Sequence, residues 1–274
     1  MLQELTGRVA VVTGAGSGIG AALCRRMGAE GMTVMAADID ADSARTTAES
    51  IGGHPAHVDV SDAVSVQALA DQAFDMFGQV DLLCNNAGVF QSGRAWEASS
   101  DDWSWSLGVN LMGVVHGLSS FLPRMIAQGT DGHVVNTASV AALVSGPLTA
   151  PYIVSKAAVF SLTECLAHDL ASVGSRIGAS VLVPSAIDTG IARSARVRPG
   201  RFGIDHTETG PMVLGFLAQT TEAGMPPDAV AGPVLDAVRS GEFLIPTKPS
   251  YAAQLENRYS RLVERRLPGD IVVD

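Results

Sequence analysis

The sequence predicts one α/β domain, a doubly wound parallel sheet of about seven strands with helices on both faces. Three observations carry this. Short apolar runs alternate with helix-length segments along most of the 274 residues. Most of the runs are β-branched or apolar throughout, without polar alternation, as strands covered on both faces are. No internal repeat and no Pro-, Gly- or Ser-rich linker divides the chain, so 1–274 reads as a single domain.

The strand-like runs fall at 9–12, 33–37, 56–58, 80–84, 134–137, 180–183 and 243–245. Helical periodicity falls at about 18–29, 41–51, 62–77, 102–127, 152–173 and 227–240. Asp40 is placed to cap the second helix, Ser61 or Asp62 the third, and Pro151 sits where a helix start tolerates proline. Residues 187–226 break the rhythm. They are rich in Gly, Arg and Thr and only weakly periodic, and a long insertion at a sheet's carboxyl edge reads as a lid or binding loop. A last helix is expected over 250–266 within a C-terminal helix and tail, 250–274. Its stripe of Leu255, Tyr259, Leu262 and Val263 is expected to pack on the protein body.

Composition narrows the classes. Apolar residues make up 47% and charged residues 17%, enough apolar surface for a large core and too much for a disordered chain. A net charge of −10 repels phosphate backbones and argues against nucleic acid as a partner. Arg258, Arg261, Arg265 and Arg266 are interleaved with Glu256 and Glu264, which reads as a solvated helix face. Cys24, Cys84 and Cys165 lie far apart inside apolar patterns, so buried, reduced thiols in the cytoplasm are expected. No signal-peptide pattern precedes the first strand. Residues 134–155 carry no charge, but their Asn, Thr, Ser, Gly and Pro are too polar and too broken for a membrane span. The six histidines show no metal-ligand spacing, and no metal is expected.

The first strand runs into Gly14-Ala15-Gly16-Ser17-Gly18-Ile19-Gly20, and a helix follows. Glycines let backbone approach a pyrophosphate closely, and the helix N-terminus offers free N–H groups and a positive dipole end. Asp38, with Ile39 beside it, ends the second strand eighteen residues after Gly20. A carboxylate there accepts hydrogen bonds from adenosine ribose hydroxyls, and no Arg or Lys at 15–19 or 37–41 is present to pair with a 2′-phosphate. The expected cofactor is NAD.

These motifs resemble those of the short-chain dehydrogenase/reductase family, with similarity from about residue 5 to 247. Gly14, Gly18 and Gly20 have the family's spacing, and Asn85-Asn86-Ala87-Gly88 matches its motif after the fourth strand. The resemblance implies a Rossmann-like fold. It also implies adenine contacts at Asp59 and Val60, and nicotinamide contacts at Pro184, Ile187 and Thr189.

Tyr152 and Lys156 lie four apart on a predicted helix and so share a face. Ser139 precedes Tyr152 by thirteen residues, and Asn110 lies within 102–127. The family's catalytic tetrad has this order. A free tyrosine, with a pKa of about 10, is a poor base, and a neighbouring ammonium favours its phenolate. Tyr152 is thus the expected acid/base, and Ser139 binds the substrate oxygen beside it. The resemblance gives Lys156 a second role on the nicotinamide ribose, and gives Asn110 the holding of a water linked to Lys156.

Ser185 and Ala142 stand where the family commonly has glycine, and both are expected to narrow the pocket. Its walls are expected from Val89, Phe90, Val140, Leu143 and Val144, and from Ile191, Phe202, Ile204, Met212, Val213, Leu214 and Phe216. Such walls suit a hydrophobic, ring-bearing secondary alcohol or its ketone. A ketone reductase, an epimerase or dehydratase, and an NAD-binding sensor without turnover are the alternatives. Loss of Tyr152 or Lys156 would mark the sensor, and a larger C-terminal domain the epimerase. The resemblance also implies a homodimer or homotetramer built on the helices at 102–127 and 152–173.

Overall fold

The computed structural model describes residues 2–204, 207–248 and 251–268. Its strands are β1 (Val9–Thr13), β2 (Thr33–Asp38), β3 (His54–His57), β4 (Leu82–Asn85), β5 (Gly132–Thr137), β6 (Ile177–Val183) and β7 (Leu244–Pro246). Its helices are α1 (Gly18–Ala29), α2 (Ala41–Ser50), α3 (Ala63–Phe77), α4 (Ser100–Leu107), α5 (Gly113–Ala127), α6 (Ala150–Ser172), α7 (Gly210–Glu222), α8 (Asp228–Ser240) and α9 (Ala252–Val263). All seven strands join one sheet in the order β3-β2-β1-β4-β5-β6-β7, and every pairing is parallel.

Alternation along each strand explains how both faces are covered. Val9, Val11, Met35, Leu83 and Val134 meet Phe74 of α3, Phe121 and Met125 of α5, and Leu166 of α6. Ala10, Val12, Val34, Leu82 and Val135 meet Leu23 and Met27 of α1 and Val234 and Leu235 of α8. Each such large side chain contributes about 1.5–3 kcal/mol on burial. Asp81, fully buried before β4, accepts from Val9 N–H at 2.8 Å and pairs with Arg8 at 3.0 Å. It ties the amino ends of β1 and β4. Their carboxyl ends open at the crossover, where a doubly wound sheet forms its crevice.

Several expectations need correction. β3 covers His54–His57 rather than 56–58: Pro55 is tolerated because β3 is an edge strand. The helix expected at 102–127 contains a π-helical turn at Gly108–Met112 between α4 and α5. The 187–226 segment is not an irregular loop. It holds 3₁₀ turns at Gly190–Val197 and Gly200–Phe202, and then α7. Its residues 205 and 206, including the expected non-ligand His206, lie outside the described residues. Cys24 and Cys84 are buried, but Cys165 is exposed. It falls off the stripe that α6 buries, Ser155, Lys156, Val159, Thr163, Leu166 and Leu170. The stripe on α9 does not pack as expected. Leu255 touches the core, whereas Tyr259, Leu262 and Val263 are exposed. The end of the expected tail, 269–274, lies outside the described residues. Among the described residues, no helix is long and apolar enough to cross a membrane, and no three His, Cys, Asp or Glu gather as a metal site.

His133 of β5 is a buried polar group with one partner. Ser180 Oγ donates to Glu242 O at 2.6 Å, so His133 Nε2 donates to Ser180 Oγ at 2.7 Å. Nδ1, the acceptor in this tautomer, has no donor among the described residues. Burial pushes the imidazole pKa down to about 4, so His133 is folded in its neutral form. The unfolded chain binds this proton below about 6.5, and the folded chain only below about 4. Stability contributed by neutral His133 is therefore present above pH 6.5 and lost as pH falls toward 4, by on the order of 3 kcal/mol. Urea midpoints measured from pH 7 to 4 are expected to fall less steeply in His133→Gln than in the wild type.

Candidate active site

The glycine turn and the turn after β4 are tied together at the crevice. Thr13 Oγ1 accepts from the N–H of Asn86 at 3.0 Å and of Ala87 at 3.2 Å, while Asn86 Nδ2 donates to Thr13 O at 3.0 Å. Gly14 has a φ of 66°, and a Cβ there would stand 2.7 Å from Ala87 Cα. A Cβ on Gly20 would stand 2.1 Å from Gly14 O, so α1 can rest on the turn only through a glycine. Ser17, the N-cap of α1, makes no side-chain cap bond. The first N–H groups of α1 remain available to an anion. This cradle fits a dinucleotide pyrophosphate.

At the far end Asp38 is held rigidly. Its Oδ2 accepts from Gly16 N–H at 2.8 Å and its Oδ1 from Asp40 N–H at 2.9 Å. Burial raises the carboxyl of Asp59, but hydrogen bonds from Ser61 and Arg201 outweigh this and hold it below the usual carboxylate range. Arg201 Nη2 lies 2.8 Å from Asp59 Oδ2. Arg196 lines the same end and lies 3.9 Å from Asp40 Oδ2. Both arginines come from the 187–226 segment. Their distance in sequence hid them from a search for cations near Asp38.

Ser139, Tyr152 and Lys156 converge at the other end. Ser139 follows β5 and caps a 3₁₀ turn, Val140–Ala142, accepting from Ala141 N–H at 3.2 Å. Tyr152 and Lys156 share the inward face of α6. Lys156 Nζ donates to Thr137 O at 2.9 Å and lies 5.9 Å from the Tyr152 ring centroid. Burial pushes the Lys156 ammonium down to about 8. Burial also raises the Tyr152 phenol, an effect opposed by its hydrogen bond with Ser139. The Phe90 ring packs on that of Tyr152 at 4.9 Å.

Asn110 stands in the π turn, a feature often found near functional sites. Its Oδ1 accepts from Val89 N–H at 2.8 Å, and its Nδ2 donates to Val89 O and Ser155 Oγ, each at 2.9 Å. Its amide thus braces the wall beside Tyr152, and both of its donors are taken by protein.

One cavity of about 450 Å³ joins the two ends. Gly14, Ser17, Gly18, Ile19, Asp38, Ile39, Asp59, Val60, Asn86, Ala87 and Gly88 line it, with Ser139, Tyr152, Lys156, Pro184, Ile187 and Thr189. Gly20 and Asn110 do not; both act from behind the wall. Of the expected substrate walls, Val89, Phe90, Val140, Val144, Ile191, Val213 and Phe216 line the cavity. Leu143, Phe202, Ile204, Met212 and Leu214 do not. Leu143 packs into the core, Phe202 lies under Arg201, and Ile204 and Met212 face solvent. α7 lines the cavity with Val213, Phe216, Leu217 and Thr220, and the open side of the cavity leaves Phe216 exposed. Trp105 also lines the cavity; inside its helix it carried no signal beyond apolarity. Ser185 lines the cavity, whereas Ala142 lies outside the lining and does not narrow the pocket as expected.

The parallel sheet, the glycine cradle and the Ser139–Tyr152–Lys156 group define a dinucleotide-dependent oxidoreductase class. A family model described as short chain dehydrogenase matches residues 8–199, and the chain belongs to the short-chain dehydrogenase/reductase family. A short chain dehydrogenase/reductase from Burkholderia phymatum, solved in complex with NAD, superposes with a TM-score of 0.95 at 40% identity over 99% of both chains. A CLA biosynthesis dehydrogenase/reductase from Lactiplantibacillus plantarum is 31% identical, spanning 100% of this chain and 99% of its own. A C alpha-dehydrogenase from a Sphingobium strain is 30% identical over 97% of this chain and 89% of its own.

Asn110→Ala strands Val89 N–H and O inside the wall, while Ser155 Oγ keeps its donation to Tyr152 O. Orphaned buried groups cost about 1–3 kcal/mol each, so a loss of roughly 2–4 kcal/mol is expected in urea unfolding after partial relaxation.

Proposed function

We propose that this protein is an NAD-dependent dehydrogenase that interconverts a hydrophobic, ring-bearing secondary alcohol and its ketone, with Tyr152 as general acid/base. One observation carries the reading: Ser139, Tyr152 and Lys156 open into the same cavity as the glycine turn and Asp38. The NAD bound in the Burkholderia structure, and relatives named as dehydrogenases, support it.

The nicotinamide, when bound, accepts or returns the hydride. This chain's residues do the rest. Ser139 donates to the substrate oxygen and holds it beside Tyr152. Tyr152 takes the hydroxyl proton in oxidation and returns it in reduction. Lys156 carries its charge below about pH 8 and favours the phenolate of Tyr152. Donation to Thr137 O leaves its remaining N–H groups for the nicotinamide ribose. Asp38 accepts from the adenosine ribose hydroxyls, and its fixed carboxylate disfavours a 2′-phosphate. Asp59 and Val60 contact the adenine; Pro184, Ile187 and Thr189 hold the nicotinamide end.

The substrate end supports an uncharged, apolar substrate. Val89, Phe90, Trp105, Val140, Val144, Val213, Phe216 and Leu217 surround it, and the charged lining residues other than Lys156 sit at the adenosine end. A homodimer or homotetramer in the cytoplasm completes the reading. The exposed apolar side chains Ile126 of α5 and Val154 of α6 support assembly through these helices.

The test follows NADH absorbance with a panel of secondary alcohols from small to aromatic. Bulky apolar alcohols are expected to turn over best; a preference for small polyols would sink the substrate reading. Tyr152→Phe is expected to lose activity by about 10²–10⁴-fold while binding NAD within a few-fold of the wild type. Oxidation kcat/KM is expected to rise with pH as Tyr152 loses its proton, and reduction to fall. Asp38→Ala is expected to shift the NAD:NADP preference toward NADP by about tenfold or more, read from kcat/KM for each cofactor.

A further inference from the structure

Arg198, one of four arginines between 193 and 201, lies between the two 3₁₀ turns of the 187–226 segment. The fold buries this one. Its side chain is 4% exposed and lies 2.8 Å from Asp102 of α4, itself 2% exposed. Nη1 donates to Gln91 Oε1 at 3.0 Å, and Nη2 donates to Phe202 O at 2.6 Å. Its Cζ stands 4.9 Å from the centroid of the Trp105 ring. Trp105 Nε1 has no acceptor among the described residues, so stacking on Arg198, not a hydrogen bond, orients the indole.

Each group that Arg198 holds bears on the wall beside Tyr152. Trp105 lines the cavity directly. Gln91 follows Phe90, whose ring packs on Tyr152 and whose N–H donates to Ser194 Oγ at 3.0 Å. A buried ion pair gains about as much in attraction as it loses in desolvation, so its contribution is orientation more than stability. The planar fork of Arg198 reaches three partners at once, and a lysine cannot.

We propose that Arg198 is a positioning residue for substrate selection: from within the covering segment, it sets the distance of Trp105 and the 89–92 wall from Tyr152. This rests on the alcohol–ketone reading for its kinetic consequence, but not for its structural one.

The test compares the wild type, Arg198→Lys and the double variant Arg198→Met/Asp102→Asn. In the double variant no buried charge is left unpaired, and the Asp102→Asn change keeps a side-chain oxygen for the Ser99 cap, so it is expected to fold and bind NAD. Two readouts decide. The ratio of kcat/KM for a bulky aryl alcohol to that for propan-2-ol is expected to fall about five- to tenfold in the double variant, the scale of a lost cation–π contact, and less in Arg198→Lys. Hydrogen exchange at amides 89–92 is expected to quicken about tenfold or more, with the β1 and β4 amides unchanged. An unchanged ratio with unchanged exchange, or an equal fall for both alcohols with unchanged exchange, overturns the proposal. If the wild type oxidises no alcohol, the alcohol–ketone reading fails, and exchange at 89–92 still decides the role of Arg198.

Discussion

The close approach of α1 to the turn after β1 is the contact on which the site depends. Gly20 sits so near Gly14 O that any side chain there would separate helix from turn. With the helix seated, its first N–H groups point at the crevice, and the turn is close enough for Asn86 to tie it to the strand beyond the crossover. Sheet order then matters chemically. Because β4 lies beside β1, the Asn86–Gly88 turn joins the floor of the cavity, and β5 next to it delivers Ser139.

Burial governs the reactive end. Lys156 lies deep enough to shift its ammonium down toward 8, yet its hydrogen bond to Thr137 O keeps it anchored at the end of β5. Tyr152 experiences the same dry surroundings with the opposite consequence, because its charged form is the deprotonated one. One dry environment thus moves the two groups apart, pushing each toward its neutral form. The wall around them is braced from behind by Asn110, whose π turn directs its amide at Val89 and Ser155.

The elements bearing the glycine motif, Asp38 and the Tyr152–Lys156 pair were legible because their signals are local: apolar runs, spacing four apart on a helix, glycines between strand and helix. The π turn was not, since one extra residue in a helical turn leaves hydrophobic periodicity almost unchanged. Cys165 and the stripe of α9 were misread for a related reason. Apolar residues spread around a helix do not say which face will meet the protein. Leu143, Ile204 and Met212 show the same at the site, where apolarity marked them for the wall and the packing placed them elsewhere.

What the sequence by itself determined is the set of groups on offer: a parallel α/β sheet, a glycine turn between strand and helix, a carboxylate at the end of β2 and a tyrosine four residues before a lysine. These follow from short-range rules of backbone geometry and residue type. The tertiary structure decided which side chains stand behind those groups. Arg196 and Arg201 reach the adenosine end, Arg198 is buried between Asp102 and Trp105, and α7 lines the cavity. Each of these depends on where a segment some 100 residues or more away in the chain comes to rest. Side chains of one type, equally charged in the sequence, are separated only by the desolvation and partners that packing imposes.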